Sequence, residues 1–299
     1  LNAMNMWIKP HLQEETTSGQ SMSAWTSTRS VAGSNEDWQQ RLATSLQQHA
    51  WSAALNNIVG KLAAGEQLTL QDGLTLYHHP NLNEVGLLAN EVRTARFDNK
   101  AFFNSNVHVN QTNVCVLACK FCAFRRSKKA EDAYAMDIDA YIEDLAKYAE
   151  HVDEVHSVGG LHPDWGVEHY ESLFQATKKA FPHITIKALT AVEIKHLSQV
   201  SNTTYEDTLR RLKEAGLGSL PGGGAEILDD EVRAIICNGK ESSDEYLEIH
   251  RTAHNVGLST NCTMLFGTIE TLEQRLNHMI SLRNLANETN GFQCFVPYP

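Results

Sequence analysis

Apolar positions along the chain follow two rhythms. From about Glu36 they recur at helical spacing: Trp38, Leu42 and Leu46, then Ala50, Trp51, Ala54, Leu55, Ile58 and Leu62, with Gly65 placed to close the helix. Leu68 through Arg96 reads as short helices packed through Leu74, Leu76, Leu82, Leu87 and Leu88. Beyond residue 106, short β-branched runs alternate with amphipathic stretches at intervals of roughly 25 to 40 residues. The runs predict strands at Val107–Gln111, Glu154–Gly159, Ile184–Leu189, Leu217–Leu220, Thr260–Phe266 and Phe292–Val296. The stretches between them predict helices near Ile138–His151, Glu168–Phe181, Thr204–Ala215, Asp230–Asn238 with Asp244–Val256, and Leu272–Asn287.

Such alternation implies parallel strands joined by right-handed crossovers. Six repeats with loops of this length favour an α/β barrel or partial barrel over an open doubly wound sheet. The expected organisation is a disordered or cloning-derived tail over 1–34, an N-terminal helical region over 35–105 and a barrel core over 106–299. In parallel barrels the reactive groups gather on the loops that follow the C-terminal ends of the strands. Polar and glycine-rich segments fall in those places here.

After the first strand comes Cys115-Val-Leu-Ala-Cys119-Lys-Phe-Cys122, a C-x3-C-x2-C triplet. Three thiolates can hold three irons of a [4Fe-4S] cluster and leave the fourth open to a small molecule. A structural zinc site would close with four Cys or His ligands, and no second CxxC or HxxxH stands near. A redox pair at Cys119 and Cys122 is the other alternative. Cys237, Cys262 and Cys294 are isolated and read as small buried apolar residues.

Composition narrows the setting. With 299 residues and 42% apolar content the chain can bury a large core. Six cysteines in this length do not make a disulfide framework, and clustered free thiols point to a reducing cytoplasm. No secretory signal is visible, and no apolar run approaches the roughly 18 residues of a membrane span. A formal charge of −11 argues against a nucleic-acid partner. Arg125-Arg126-Ser127-Lys128-Lys129 is a local exception, readable as a solvated face or as an anion-attracting lip to the site.

The other strand ends carry Val158-Gly159-Gly160-Leu161-His162-Pro163, Thr190-Ala191-Val192-Glu193, Pro221-Gly222-Gly223-Gly224-Ala225-Glu226 and Thr263-Met264-Leu265-Phe266-Gly267-Thr268-Ile269-Glu270. Together with the cysteine loop, in which Phe121 precedes the last cysteine, these segments resemble the radical S-adenosylmethionine (radical SAM) enzymes. The resemblance implies a [4Fe-4S] cluster on Cys115, Cys119 and Cys122, whose open iron chelates the methionine end of SAM. It implies that Gly159 and Gly160 face the SAM amine. Thr263, Leu265, Gly267 and Glu270 stand where a G-x-I-x-G-x-x-E segment would flank the adenine, with Thr and Leu replacing the first Gly and the Ile. Phe121, Thr190, Glu193, Gly222, Gly223 and Gly224 complete the expected cofactor-binding set, with Glu193 reaching ribose hydroxyls or the substrate.

From about residue 66 to 299 the resemblance narrows to the futalosine-pathway enzymes of menaquinone biosynthesis. It rests on Asn110-Gln111-Thr112-Asn113-Val114-Cys115, Gly160-Leu161-His162-Pro163, Ser219-Leu220-Pro221-Gly222-Gly223-Gly224-Ala225-Glu226 and two further stretches. Those two, Lys187-Ala188-Leu189-Thr190-Ala191-Val192-Glu193-Ile194 and His250-Arg251-Thr252-Ala253-His254, are most similar to the aminofutalosine (aminodeoxyfutalosine) synthases rather than to the dehypoxanthine futalosine cyclases. The implied reaction makes SAM a co-substrate: its 5′-deoxyadenosyl radical adds to 3-[(1-carboxyvinyl)oxy]benzoate, giving 6-amino-6-deoxyfutalosine, methionine and bicarbonate. A flavodoxin- or ferredoxin-type donor would supply the electron. The substrate is a dicarboxylate, so cationic or amide donors must face it, with Arg251, His162 and the amides of Gly222–Gly224 as candidates. A surface salt bridge for Arg251, packing against Pro163 for His162 and solvation for Glu226 are the plainer readings. The family continues beyond the sixth strand, so the expected fold is a partial TIM-type barrel whose remaining strands lie past Pro299.

Overall fold

The computed structural model describes residues 35–299, so the disorder expected for 1–34 lies outside the described residues. The chain divides into two compact units, one running to Phe103 and including Glu270–Asn290, the other combining Asn104–Ile269 with Gly291–Pro299.

The first unit opens with α1 (Trp38–Leu46), α2 (Asn56–Ala64), α3 (Leu70–Tyr77) and α4 (Leu82–Phe97). Trp38, Leu42, Leu46, Leu55, Ile58, Leu88 and Ala95 form its core. The apolar stripe does not run as one helix. Trp51 turns its indole N–H onto the Leu46 carbonyl at 2.8 Å, which satisfies an orphan acceptor at the end of α1 and breaks the path to α2. Gly65 ends α2 as expected, in a left-handed conformation with φ 74°. Leu82 is not a packing residue: it is 79% exposed, as the first residue of α4 after the Asn81 cap. Leu87 is exposed too.

The second unit is built on β1 (Asn106–His108), β2 (Glu154–Ser157), β3 (Thr185–Ala188), β4 (Leu217–Leu220), β5 (Ser259–Leu265) and β6 (Phe292–Tyr298). They form one sheet in the order β1-β2-β3-β4-β5-β6, with every neighbouring pair parallel. This is the partial barrel expected from the alternation. Between strands run α5 (Ile138–Ala146), α6 (Val167–Ala180), α7 (Ala191–Ser201), α8 (Tyr205–Ala215), α9 (Asp230–Ile236) and α10 (Ser243–Asn255). Strand residues Val155, Ile186 and Leu220 and helix residues Leu173, Phe174, Leu209 and Leu212 are fully buried, as strands covered by helices require.

Two differences from the sequence pattern matter. The last crossover helix, α11 (Leu272–Thr289), groups with the first unit, where Arg283 donates to the Leu68 carbonyl at 2.6 Å. And Thr190–Glu193, expected as a loop, starts the helix α7. Leu189, at φ 65°, makes the sharp turn out of β3 that lets this helix begin at once.

Gly222, directly after β4, shows how tightly the strand ends are drawn together. A Cβ at this position would sit 2.5 Å from the Cys262 Cα on β5, and the Gly222 carbonyl accepts from Tyr246 Oη at 2.8 Å and Thr263 Oγ1 at 2.7 Å. The obstacle is backbone, so no rotamer change relieves it. Gly222→Ala should lower unfolding stability by about 1–3 kcal/mol, the usual cost of overpacking. Urea denaturation would show it as a fall in midpoint with an unchanged slope.

Candidate functional site

The cysteine loop begins where β1 ends. The strand ends at His108, earlier than the predicted Gln111, and the buried polar residues Gln111, Thr112 and Asn113 scaffold the loop. Gln111 donates to Tyr170 Oη at 3.0 Å and accepts from Ser157 Oγ at 2.7 Å, while Thr112 donates to the Tyr134 carbonyl at 2.7 Å and Asn113 to the Asp132 carbonyl at 2.9 Å. These side chains replace the ladder hydrogen bonds the backbone gives up on leaving the sheet. Backbone amides then fix the loop itself. Cys115 N–H bonds the Arg126 carbonyl at 2.9 Å, Val116 N–H the Leu161 carbonyl at 3.1 Å, Lys120 N–H the Ile236 carbonyl at 2.9 Å and Cys122 N–H the Cys119 carbonyl at 3.2 Å.

Cys115, Cys119 and Cys122 are free and half-buried, whereas Cys237 and Cys262 are buried as expected and Cys294 is half-buried. Burial raises the Cys119 pKa, Cys115 and Cys122 add to the rise, and the Lys240 ammonium opposes it. Phe121 is 40% exposed, with the Lys240 Nζ 5.5 Å from its ring centroid.

The Gly-Gly segment after β2 is wedged against this loop. A Cβ on Gly160 would meet the Val114 carbonyl oxygen at 2.1 Å and the Cys115 Cβ at 3.0 Å, and one on Gly159 would meet the Thr112 carbonyl at 3.1 Å. Gly160 N–H closes the contact on the Thr112 carbonyl at 2.9 Å.

Glu193 lies next to it, buried, with both carboxylate oxygens taken by protein donors. One accepts from Gly159 N–H at 3.0 Å; the other accepts from the Thr190 N–H and hydroxyl, both at 2.7 Å. Thr190 and Glu193 are therefore a capping box at the start of α7 that also ties the β2 loop to the β3 loop. The Thr-x-x-Glu spacing carries that signal, which an expectation of ribose binding passes over. Burial pushes the Glu193 pKa up, and its donors from Gly159 and Thr190 pull it back.

The other candidates separate. His162 is buried, stacked 4.4 Å from the Trp165 ring, and its carbonyl lies 2.8 Å from His196 Nε2. Burial lowers its pKa. Arg251 is on α10, paired with Glu248 one turn away at 2.6 Å, with a side chain 32% exposed. That is the surface ion pair of the plainer reading. Gly223 packs on Thr190, with 3.0 Å from a would-be Cβ to Cγ2, and Gly224 takes φ 99° against Glu241, so contacts within the protein already require small residues here. Thr263 and Leu265 end β5 in buried positions, and Gly267 follows at φ 91°. Glu270 groups with the other unit, bonded to Arg275 at 2.7 Å.

Sequence reasoning missed a buried charge cluster beside the cysteine loop. Lys240 Nζ contacts Glu226 Oε1 at 2.5 Å with both side chains at most 10% exposed, and Glu226 sits at a left-handed φ of 47°. Arg233 reaches Glu241 at 3.3 Å and donates to the carbonyls of Gly224, Ala225 and Glu241. Burial pushes the Glu241 carboxyl up to about 7. Seven of the sixteen residues from Glu226 to Glu241 are charged and look like a solvated segment in the sequence; only the fold shows that Glu226, Arg233, Lys240 and Glu241 face inward.

The sequence profile of the Radical SAM superfamily matches residues 109–282, more than half of the chain. The chain belongs to the radical SAM superfamily. Among curated relatives of this radical SAM protein, the aminodeoxyfutalosine synthase of Thermus thermophilus is 44% identical over 243 residues, covering 80% of this chain and 65% of that protein. The cyclic dehypoxanthine futalosine synthase of Streptomyces coelicolor is 39% identical over 254 residues, covering 82% of this chain and 63% of the relative. The chain thus spans a little under two thirds of their lengths. Among solved structures, methylornithine synthase superposes with a TM-score of 0.62 at 19% identity, covering 80% of this chain and 66% of that one, a likeness of fold.

The superfamily uses a [4Fe-4S] cluster and SAM, and the residues present fit them. Among the described residues, no three or more His, Cys, Asp or Glu gather around a single-ion position. A cubane asks for something different: separate thiols on one loop, each for its own iron. Cys115, Cys119 and Cys122 provide that, with a buried cation near Cys119 to offset thiolate charge. Replacing any one of the three by Ala should abolish the brown chromophore after anaerobic reconstitution, while Cys237→Ala should keep it. Absorbance and iron content per chain are the measurements.

Proposed function

We propose that this chain carries out the radical SAM transfer that joins the 5′-deoxyadenosyl group of SAM to 3-[(1-carboxyvinyl)oxy]benzoate, with 6-amino-6-deoxyfutalosine, methionine and bicarbonate as products. The observation that carries the reading is the 44% identity to the Thermus thermophilus aminodeoxyfutalosine synthase across 80% of this chain. A [4Fe-4S] cluster held by Cys115, Cys119 and Cys122 would supply the one-electron chemistry for reductive SAM cleavage, with a flavodoxin- or ferredoxin-type protein as the electron donor.

The chain's own residues would bind and shield. Cys115, Cys119 and Cys122 hold the cluster on a loop whose amides are already anchored. Gly159 and Gly160 present backbone beside it without side-chain bulk. Glu193 holds those glycines in place rather than touching ligand, because both its oxygens are engaged within the protein. Thr263, Leu265 and Gly267, at the end of β5, supply backbone for the adenine side. Burial lowers the His162 pKa, which favours the neutral imidazole, so the residue would offer the dicarboxylate a hydrogen bond rather than a charge. No helix among the described residues is long and apolar enough to cross a membrane. A cytoplasmic enzyme acting on a small molecule fits that and the free thiols.

Anaerobic incubation with reductant, SAM and the carboxyvinyloxybenzoate, followed by mass analysis, tests this reading. It predicts an adenosine adduct with loss of one carboxyl group. Free 5′-deoxyadenosine alone, with no adduct, would contradict it.

A further inference from the structure

The segment joining α9 to α10 lies along the cysteine loop at several points. Ile236 accepts from Lys120 N–H at 2.9 Å, a Cβ on Gly239 would touch Leu117 Cδ2 at 3.0 Å, and Lys240 stands over the Phe121 ring at 5.5 Å. Leu117, Lys120 and Phe121 are the residues interleaved between the three cysteines. Lys240 is therefore a fixed neighbour of the loop rather than a passing surface cation. Its side chain is 10% exposed and is locked to Glu226, itself 4% exposed, at 2.5 Å.

A buried ion pair is an expensive way to hold two loops together, because apolar side chains of similar size would usually serve as well. Its partner Glu226 also occupies a backbone conformation that non-glycine residues seldom adopt, a feature that concentrates at functional sites. Lys240 lies over Phe121, the residue next to Cys122, and Glu226 is held against it, so the two opposite charges flank the cysteine loop. In a dry setting such charges are weakly screened. The potential of a thiolate-bound cluster follows the net charge and hydrogen bonding around it.

We propose that Lys240 and Glu226 form a charge pair that sets the reduction potential of the cluster on Cys115, Cys119 and Cys122, Lys240 raising it and Glu226 lowering it. The pair is a positioning and electrostatic device, with no contact to the reacting atoms required. The inference rests on the cluster reading and is independent of which substrate is turned over.

EPR-monitored redox titration of the reconstituted protein, with iron and sulfide counted for each variant, provides the test. Lys240→Met should shift the midpoint to a more negative value, since an uncompensated Glu226 remains. Glu226→Gln should shift it the other way, and the double variant should return close to the parent. Lys240→Arg should hold the parent value. A purely structural pair would alter iron loading or stability without moving the two midpoints in opposite directions, and midpoints that stay put or move together would overturn the proposal. Should Lys240→Met fail to load, Glu226→Gln and the double variant decide, because a positive shift in the first and its cancellation in the second are both required. A parent chain that takes up no cluster at all would instead remove the reading given under Proposed function.

Discussion

Much of this site depends on one carboxylate. Glu193 caps the helix that starts at Thr190 and, with its other oxygen, holds the Gly159 amide, so the loops after β2 and β3 are joined through a single buried side chain. The Gly159–Gly160 segment in turn fits so closely under the cysteine loop that a methyl group on Gly160 would overlap the Val114 carbonyl. Removing the carboxylate would thus release the surface on which Cys115 rests, although Glu193 is distant from the cysteines in sequence. The constraint is steric and electrostatic at once: glycine allows the approach, and charge-assisted hydrogen bonds hold it.

A second layer of control is charge. Lys240 and Arg233 face Glu226 and Glu241 in an interior that would not tolerate any of them alone. Arg233 donates through Nε and Nη2 to the Glu241 carbonyl and through Nη1 to the carbonyls of the Gly224–Ala225 turn, so it ties that turn to the start of the segment leading into α10. Lys240 has the cysteine loop and Glu226 as its surroundings, which leaves it positioned to act on whatever charge the thiols carry.

The fold was largely legible from the hydrophobic pattern because each strand is a short apolar run and each helix carries a stripe. β4 falls at Leu217–Leu220 as expected, and the other strands differ by a few residues at their ends. β1 stops at His108 although Val109, Asn110 and Gln111 continue the strand-like alternation, because past Val109 the contacts to β2 pass to side chains: Ser157 Oγ donates to the Val109 carbonyl and to Gln111 Oε1, and the Val158 N–H to Asn110 Oδ1. The helix α7 was passed over because Thr190–Glu193 reads equally as an active-site loop, and the capping box was the overlooked clue. Arg251, singled out by its motif, lies on α10 and pairs with Glu248, a local contact that the i, i+3 spacing already allows. The cysteine triplet was legible outright, since its chemistry depends on local spacing. Lys240 was not, because its importance comes from a tertiary neighbour, Phe121, more than a hundred residues away.

The central claim is that three thiolates on this anchored loop leave one iron open to SAM. The most direct measurement is the EPR spectrum of the reduced, reconstituted protein with and without SAM. An open iron predicts a change in the spectrum when SAM is added, because the ligand set of the cluster changes. A spectrum that SAM leaves unaltered in an iron-replete sample would contradict the account.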